Sequence, residues 1–350
     1  MVYLTFFVFG ARLNTVTPIR TARPHPGPLP EGEGDAAPRS GVALNRNIGR
    51  MPSWIRQNLG RESGFGGTHL AVRGNRLHTV CEEAKCPNRG ECWSRGTATF
   101  MLLGDTCTRA CGFCAVKTGK PGWFDANEPQ RVAEAVAGLN LNYVVLTSVN
   151  RDDLEDGGAW VFAESLRQLR MRRPEIGVEF LTPDFRNVQD EAINIVMDAV
   201  NSRPLPPSPL PGLVWGHNVE TVPRLYKTAR RGSRYERSLE LLEKAGRQIG
   251  VETKSALMLG LGETPGEVVE VLKELKSAGV SRVSLGQYLR PTLANLPVAE
   301  YVHPDVFAEL ESEARALGFN WVKAGPLVRS SYYAEEIQNQ FTERLREARE

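Results

Sequence analysis

Apolar residues along the chain fall into short runs that alternate with longer stretches of mixed polar and apolar character. The runs are ATFMLLG (98–104), YVVLTSV (143–149), VEFLTP (178–183), NIVMDAV (194–200), TKSALMLG (253–260) and RVSLGQYL (282–289). A run that is apolar along most of its length is typical of a strand buried on both faces of a sheet. We therefore interpret the six runs as strands and the stretches between them as helices.

The alternation of strands and helices predicts an α/β fold with parallel pairing and right-handed crossovers. Helix starts support it: Thr264 and Glu267 form a capping-box pattern around Pro265, and Ser233 with Glu236 repeats the pattern. Six units predict a partial (β/α)6 barrel of the TIM type, with N-terminal and C-terminal extensions covering its open end. A doubly wound open sheet is the alternative. Either fold binds ligands at the carboxyl ends of its strands.

Two Pro-rich stretches interrupt this pattern. PIRTARPHPGPLPEGEGDAAPRS (18–40) is too polar to bury a core, so we predict that residues 1–45 are a disordered leader. SRPLPPSPLPG (202–212) predicts a surface insertion, to which we assign residues 202–216. The remaining divisions are an N-terminal extension (46–96), the barrel (97–318) and a C-terminal extension ending in a helix (319–350).

Composition narrows the class of protein. The 350 residues are 41% apolar and carry 43 basic against 41 acidic side chains, a formal net charge of +2. That balance gives no reason to expect nucleic acid or a membrane as a partner. No apolar run approaches the roughly twenty residues that span a bilayer. We predict a cytoplasmic protein; an organelle matrix is the alternative, since the residues before Glu31 include arginines and no acid.

All six cysteines lie between residues 81 and 114, in two groups of three. This clustering favours metal or redox chemistry over a secreted disulfide scaffold. Cys107, Cys111 and Cys114 follow the first strand with the spacing C-x3-C-x2-C. A 4Fe-4S cluster usually takes four cysteines, so three leave one iron open to a small molecule. A structural zinc site, which prefers four closed ligands, and unliganded buried cysteines are the alternatives.

The segment TCTRACGFC, with Phe113 before the last cysteine, resembles the signature of the radical S-adenosylmethionine (SAM) superfamily. The resemblance implies that the open iron binds SAM, and that one electron then releases a 5′-deoxyadenosyl radical. The other three cysteines, in LHTVCEEAKCPNRGECW, resemble the auxiliary-cluster motif of the lipoyl synthase family. Three other segments resemble further motifs of that family, namely LTSVNRDDLEDGGA, HNVETVPRLYKTAR and GPLVRSSYYA.

Membership of this family implies two 4Fe-4S clusters and SAM as cofactors. One cluster would be held by Cys107, Cys111 and Cys114. The other would be held by Cys81, Cys86, Cys92 and Ser331, which is the second serine of RSSY. The implied activity is that of a sulfurtransferase, which inserts two sulfur atoms at C6 and C8 of a protein-bound octanoyl-lysine and takes them from the auxiliary cluster. No catalytic residue beyond the cluster ligands is implied. Without the resemblance, we would interpret the RSSY segment as a solvated turn.

Contacts to SAM are implied for a set of residues at strand ends and in the cysteine loop, namely Phe113, Ser148, Asn201, His217, Asn218 and Glu220. Asp152 or Asp153 as a helix N-cap is the competing interpretation of SVNRDD. Two departures from the family stand out. Fifteen residues separate Asn201 from His217, where the family has an adjacent asparagine, and Tyr333 replaces a common histidine.

The implied partners are an octanoylated lipoyl-carrier domain, either a 2-oxoacid dehydrogenase E2 component or a glycine cleavage H protein, and an electron donor such as ferredoxin or flavodoxin. Two other functions stay open. One is a different two-cluster, sulfur-inserting radical enzyme of the methylthiotransferase type. The other is a catalytically silent iron-sulfur protein.

Overall fold

The computed structural model of the protein describes residues 51–55, 77–83, 86, 88, 91–92, 99–139, 141, 143–202, 212–334 and 336. The predicted leader, residues 203–211 of the predicted insertion and the predicted terminal helix lie outside the described residues. No described helix has the length and apolar character needed to cross a bilayer.

Eight strands form one sheet, and their order in space follows their order along the chain. They are β1 (His78–Thr79), β2 (Thr99–Leu102), β5 (Tyr143–Ser148), β6 (Gly177–Leu181), β7 (Leu213–Gly216), β8 (Val251–Leu259), β9 (Arg282–Gln287) and β10 (Trp321–Gly325). β1 runs antiparallel to β2, and every other neighbouring pair is parallel. β3 (Thr106–Cys107) and β4 (Lys117–Thr118) form a separate two-stranded ribbon. The predicted α/β class is confirmed.

The helices connect consecutive strands and pack against one another in chain order. They are α1 (Val80–Glu83), α2 (Glu128–Gly138), α3 (Ala159–Arg172), α4 (Gln189–Asn201), α5 (Tyr226–Ala229), α6 (Tyr235–Gly246), α7 (Pro265–Ser277) and α8 (Pro304–Ala316). A doubly wound sheet reverses its strand order at a switch point. This sheet has no such reversal among its described strands, and β1 and β10 each have one neighbour only. The arrangement is therefore that of an open, partial barrel.

One predicted strand is wrong. Residues 194–200 belong to α4, whose buried residues Ala192, Ile193, Val196, Met197 and Val200 recur every three or four positions. That period is helical, and it places one apolar stripe against the core. The apolar residues between them made the run look continuous.

The strand missed by the sequence analysis is β7, which lies inside the segment assigned to the insertion. All four residues of Leu213–Gly216 are buried, and the strand pairs with β6 and β8. A four-residue apolar run shows no distinguishing period, and the adjoining prolines hid it. β10, which lies beyond the predicted boundary at 319, pairs with β9 and extends the sheet; the domain divisions stay predictions.

Helix starts give one confirmation and one correction. Thr264 and Glu267 form the predicted capping box at α7. At α6 the N-cap residue is Arg234 and no side chain caps the helix, so the predicted pairing of Ser233 with Glu236 is wrong.

The two faces of the sheet have different partners. On β5, Val144 and Leu146 belong to the core formed with the helices, whereas Tyr143 and Val145 pack against Ala334. Because successive side chains of a strand point to opposite faces, the segment after β10 lies on the face opposite the helices. We call this the inner face; on it, Lys254 Nζ donates to both carboxylate oxygens of Glu179, each at 2.9 Å.

Candidate active site

Cys107, Cys111 and Cys114 lie in the connection between β2 and α2, at the carboxyl end of the sheet. We call residues 107–114 the radical loop. Main-chain hydrogen bonds attach it to three other connections: Thr108 N–H donates to Asn150 O at 3.0 Å, and Gly112 N–H donates to Ala229 O at 2.8 Å. Leu296 N–H donates in turn to Gly112 O at 2.8 Å. The loop is therefore fixed by backbone contacts on several sides.

Backbone N–H groups also point at the sulfurs. Arg109 N–H and Asn150 N–H donate to Cys107 Sγ at 3.4 and 3.3 Å, and Val116 N–H donates to Cys114 Sγ at 3.4 Å. Such hydrogen bonds tune the potential of iron-sulfur clusters. Burial raises the pKa of the Cys111 thiol to about 12 and that of Cys114 to about 11. These thiols therefore stay protonated until a metal displaces the proton.

Arg109, inside the radical loop, anchors it to the sheet, and the sequence analysis missed it. Its guanidinium donates through Nε to one carboxylate oxygen of Asp152 and through Nη2 to the other at 2.7 Å. Nη2 also donates to Asp184 at 3.2 Å, and Asp184 accepts from Arg237 of α6 at 2.8 Å. Burial alone would raise the pKa of Asp152, but the Arg109 guanidinium keeps that pKa below its ordinary value. A buried ion network thus connects the loop with the ends of β5 and β6.

The competing interpretation of Asp152 or Asp153 as the N-cap of the next helix is wrong. α3 begins after Gly158, and the carboxylate of Asp156 accepts the N–H groups of Gly158 and Trp160 at 2.9 and 2.7 Å.

β7 leads directly into the HNVET segment, of which His217 is fully buried. Its Nδ1 lies 2.9 Å from Thr182 O, and its Nε2 lies 3.0 Å from Ser238 Oγ and 3.2 Å from Arg230 Nη2. Burial lowers the pKa of His217 to about 3, so the ring is neutral. Because protein groups engage both nitrogens, His217 supports the end of β7 and presents no free nitrogen to a cofactor.

Glu220 is brought to the radical loop. Its backbone lies in the left-handed region, with φ at 69°, and is held by hydrogen bonds with Ala256 and Met258 on β8. Asn218 donates to its carboxylate, and its charge acts to raise the pKa of both Cys111 and Cys114. Residues held in this uncommon conformation cluster at functional sites. Asn218 and Glu220 therefore lie where a ligand of the radical loop would meet them.

The fold does not bring Asn201 to the radical loop, and its contact with SAM stays a prediction. It is the exposed last residue of α4, at the edge where β7 begins, and the cysteines follow the opposite edge. The residue before His217 on the strand is Gly216. A Cβ atom at that position would lie 2.7 Å from Phe180 O, so an asparagine does not fit this backbone.

Phe113 and Ser148 stay predictions. Phe113 is partly exposed in the radical loop. Ser148 pairs in register with Leu102 at the end of β5, and its buried hydroxyl has no hydrogen-bond partner among the described residues.

The other three cysteines and Ser331 line one small cavity. Cys81 lies in α1, Cys86 and Cys92 follow it, and Ser331 comes from the segment after β10. Two backbone hydrogen bonds fold the cysteine motif on itself, from Cys86 N–H to Cys81 O at 3.2 Å and from Cys92 N–H to Asn88 O at 2.9 Å. Three thiols and one hydroxyl facing one space fit the donor set that the family resemblance implies.

Side-chain contacts join the C-terminal segment to this motif. Tyr332 donates to both carboxylate oxygens of Glu91 at 3.1 Å, and Tyr333 donates to one of them at 3.1 Å. Asn88 Nδ2 donates to Leu327 O at 2.6 Å. We call the Glu91, Tyr332 and Tyr333 contacts the clasp. It sits beside Cys92 on one segment and beside Ser331 on the other, and so positions both.

Arg329 lines the same cavity. Burial lowers the pKa of its guanidinium, and the neighbouring Cys86 opposes that change. Since arginine stays charged in proteins, a positive charge lies beside thiols that bind metal as thiolates.

A closed single-ion site is not found. Among the described residues, no three His, Cys, Asp or Glu side chains are arranged to hold one metal ion.

Comparison with known proteins agrees with the motifs. A model of the Radical SAM superfamily matches residues 101–275. The lipoyl synthase of Methylobacillus flagellatus is 50% identical over 292 residues, 83% of this chain and 86% of that protein. That of Stutzerimonas stutzeri is 48% identical over 288 residues, 82% and 85% of the two chains. The crystal structure of Streptococcus suis SuiB bound to S-adenosylmethionine is a remote likeness, with a TM-score of 0.48 and 12% identity over 68% of this chain and 54% of that one. From its close relatives, this chain belongs to the lipoyl synthase family of radical SAM enzymes.

Proposed function

We propose that this chain forms the lipoyl cofactor by inserting sulfur at C6 and C8 of a protein-bound octanoyl-lysine. The observation that carries the proposal is the cavity shared by Cys81, Cys86, Cys92 and Ser331. Radical generation from SAM needs the radical loop alone, so a second group of thiols has to serve another purpose. Sulfur insertion requires a sulfur source, and a second cluster bound there supplies it.

The radical loop holds its cluster through Cys107, Cys111 and Cys114. A cluster held by these three thiolates would have one iron free for SAM and would supply the electron that cleaves SAM to a 5′-deoxyadenosyl radical. The chain's own residues would bind SAM and orient it. The carboxylate of Glu220 and the amide of Asn218 offer an acceptor and a donor to the polar groups of SAM. Phe113 and Ser148 are proposed as further contacts.

At the auxiliary site, Ser331 is proposed as the fourth ligand. A hydroxyl oxygen is a harder ligand than thiolate and a poorer partner for iron. Ser331 would therefore hold its iron less firmly than a fourth cysteine would. Arg329, Ser331 and Tyr332 of the C-terminal segment line the cavity and so limit the access of water to it.

We propose an octanoylated carrier domain, of E2 or H-protein type, as the substrate, and a ferredoxin or flavodoxin as the electron donor. The methylthiotransferase and silent-protein alternatives are not favoured, since the relatives at 48–50% identity are lipoyl synthases.

The test is an anaerobic incubation of the reconstituted protein with dithionite, SAM and an octanoyl-lysine peptide, followed by mass spectrometry. The expected product has two sulfurs in place of two hydrogens, with 5′-deoxyadenosine released. Ser331→Ala should keep deoxyadenosine formation and lose lipoyl product by about tenfold or more, as when a metal site loses a supporting group. Ser330→Ala is the matched control. Deoxyadenosine without sulfur transfer in the unaltered protein would contradict the proposal.

A further inference from the structure

The connection between β9 and α8 lies against the radical loop. Its Leu296 N–H donates to Gly112 O at 2.8 Å. Its Asn295 Nδ2 donates to the same oxygen at 3.3 Å and to Cys114 O at 2.8 Å. We call residues 292–296 the brace. These contacts join positions more than 180 residues apart in the chain, so only the assembled sheet brings them together.

The side-chain amide of Asn295 is held in one orientation. Ala294 N–H donates to Thr292 Oγ1 at 3.3 Å, and that hydroxyl donates in turn to Asn295 Oδ1 at 2.7 Å. An amide side chain accepts at one end and donates at the other, so its Nδ2 faces the two carbonyl oxygens of the radical loop. Reversing the amide would place its oxygen against those carbonyls. Thr292 therefore fixes the direction in which Asn295 donates.

The brace is itself attached to the end of β9. The hydroxyl of Tyr288, a buried residue next to that strand, donates to Leu296 O at 2.8 Å. Arg290 donates through Nε to Asn295 O at 2.9 Å and through Nη2 to Leu293 O. The brace thus has a defined position relative to the sheet, and it transmits that position to the radical loop.

The radical loop is enclosed between the brace and a second connection. Gly112 N–H donates to Ala229 O on the side opposite its carbonyl contacts. A Cβ atom on Gly112 would lie 2.9 Å from Leu296 Cγ and 3.1 Å from Thr228 O. A glycine without a side chain is therefore what allows both connections to approach the loop so closely.

Contacts with the brace set the direction of two peptide groups. The described peptide bonds are trans, so the N–H and C=O of each point in opposite directions. Because Gly112 O and Cys114 O face the brace, the N–H groups of Phe113 and Ala115 point away from it. Neither donates to another group among the described residues, whereas Val116 N–H donates to Cys114 Sγ at 3.4 Å. Two donors of the radical loop are thus left for a ligand of the loop.

We propose that Asn295 is a positioning residue for the radical cluster. By holding the carbonyls of Gly112 and Cys114, it keeps the next two N–H groups available to the sulfurs of a cluster bound by the loop. Such hydrogen bonds help to set the reduction potential of iron-sulfur clusters. They favour the reduced state, which carries the extra negative charge, so Asn295 makes the cluster easier to reduce. The inference rests on the proposed function, since it needs a cluster on the radical loop.

The experiment compares Asn295→Leu with Asn320→Leu in the reconstituted protein that carries both clusters. Leucine removes the amide donor and adds no charge, and Asn320 is an exposed asparagine next to β10, so it serves as the matched control. Electron paramagnetic resonance is recorded against applied potential, and the radical cluster is identified as the one whose signal changes when SAM is added.

Asn295→Leu should make one-electron reduction of the radical cluster about tenfold less favourable, a fall of about 59 mV. The auxiliary cluster and both clusters of the control should keep the potentials of the unaltered protein. Thr292→Val is a milder second variant, which retains the amide and removes the hydroxyl that orients it. It should lower the same potential by a smaller amount, and it keeps the test available if Asn295→Leu fails to fold.

Urea denaturation of the metal-free variants separates positioning from stability. An unchanged potential together with a lower urea midpoint would overturn the proposal, because Asn295 would then only stabilise the fold. An equal shift of both clusters would overturn it too, since the effect would not be local to the radical loop. Absence of lipoyl product from the unaltered protein would contradict the proposed function alone, because the potential of the radical cluster is measured without sulfur insertion.

Discussion

The two groups of cysteines are held in different ways. The radical loop is fixed by main-chain hydrogen bonds and by the buried guanidinium of Arg109, which joins the ends of β5 and β6. The auxiliary site is closed by side chains of a segment from the other end of the sheet, through the clasp and Asn88. A cofactor that is used and kept suits the first arrangement. Under the proposed function the auxiliary cluster is consumed, and the second arrangement suits that use because its enclosure has to open.

The largest difference between the two sites is expected when one thiol is removed from each. Cys111→Ala should reduce deoxyadenosine formation to background, since two thiolates do not hold the radical cluster. Cys86→Ala should keep deoxyadenosine formation and abolish lipoyl product. Both products are measured in one anaerobic assay by mass spectrometry. Loss of deoxyadenosine in both variants would show that the two sites do not act separately.

Removing the anchor of the radical loop should also have a large effect. Arg109→Met leaves Asp152 without its ion-pair partner and Asp184 with Arg237 alone, and breaking a buried ion pair this way costs about 3–5 kcal/mol. Urea denaturation of the metal-free protein should report the lost stability. Arg224→Met, which removes an exposed pair with Glu267, is the control and should change little. An equal loss of stability in both variants would contradict the anchoring role of Arg109.

The correction at β7 predicts a medium effect. Gly216→Asn restores the asparagine that the family has before His217, but its Cβ meets Phe180 O at 2.7 Å. Overpacking of this kind costs about 1–3 kcal/mol. A lower midpoint in urea is expected. An unchanged urea midpoint for Gly216→Asn would mean that β6 and β7 can move apart there at little energetic cost.

The smallest effect is expected at the clasp. Tyr333→Phe removes the hydrogen bond from Tyr333 to Glu91 and leaves those from Tyr332, so the clasp should loosen by about 1 kcal/mol, the net contribution of one typical hydrogen bond. Iron release to a chelator should accelerate for the auxiliary cluster and not for the radical cluster. Tyr333→His, with the family's common residue, serves as the comparison. Faster release from both clusters would contradict a local role.

Long apolar runs and cysteine spacing carried most of what the sequence could predict. Five of the six predicted strands are strands, and the family match followed from motifs near the cysteines. β7 was missed because four apolar residues have no diagnostic period, and α4 was misread because its interior is apolar on more than one face. The ligand role of Ser331 stays a prediction, although it lines the cavity with Cys81, Cys86 and Cys92.

The Arg109 network lay beyond sequence reasoning for a physical reason. Its partners are 43 and 75 positions away along the chain, and they meet only because the carboxyl ends of β5 and β6 are adjacent in the sheet. Charged residues are common near strand ends, so no local pattern distinguishes this arginine. The clasp could not be predicted for the same reason, because Glu91 and Tyr332 are far apart along the chain.

The clasp joins Tyr332 to Glu91 across 241 positions of the chain. The thiols of the radical loop, by contrast, lie within eight residues of one another. During synthesis the first site has all its ligands almost at once, whereas the second waits until nearly the whole sheet has formed. Assembly of the auxiliary site therefore depends on the C-terminal segment, whereas the three thiols of the radical loop are present long before that segment is made.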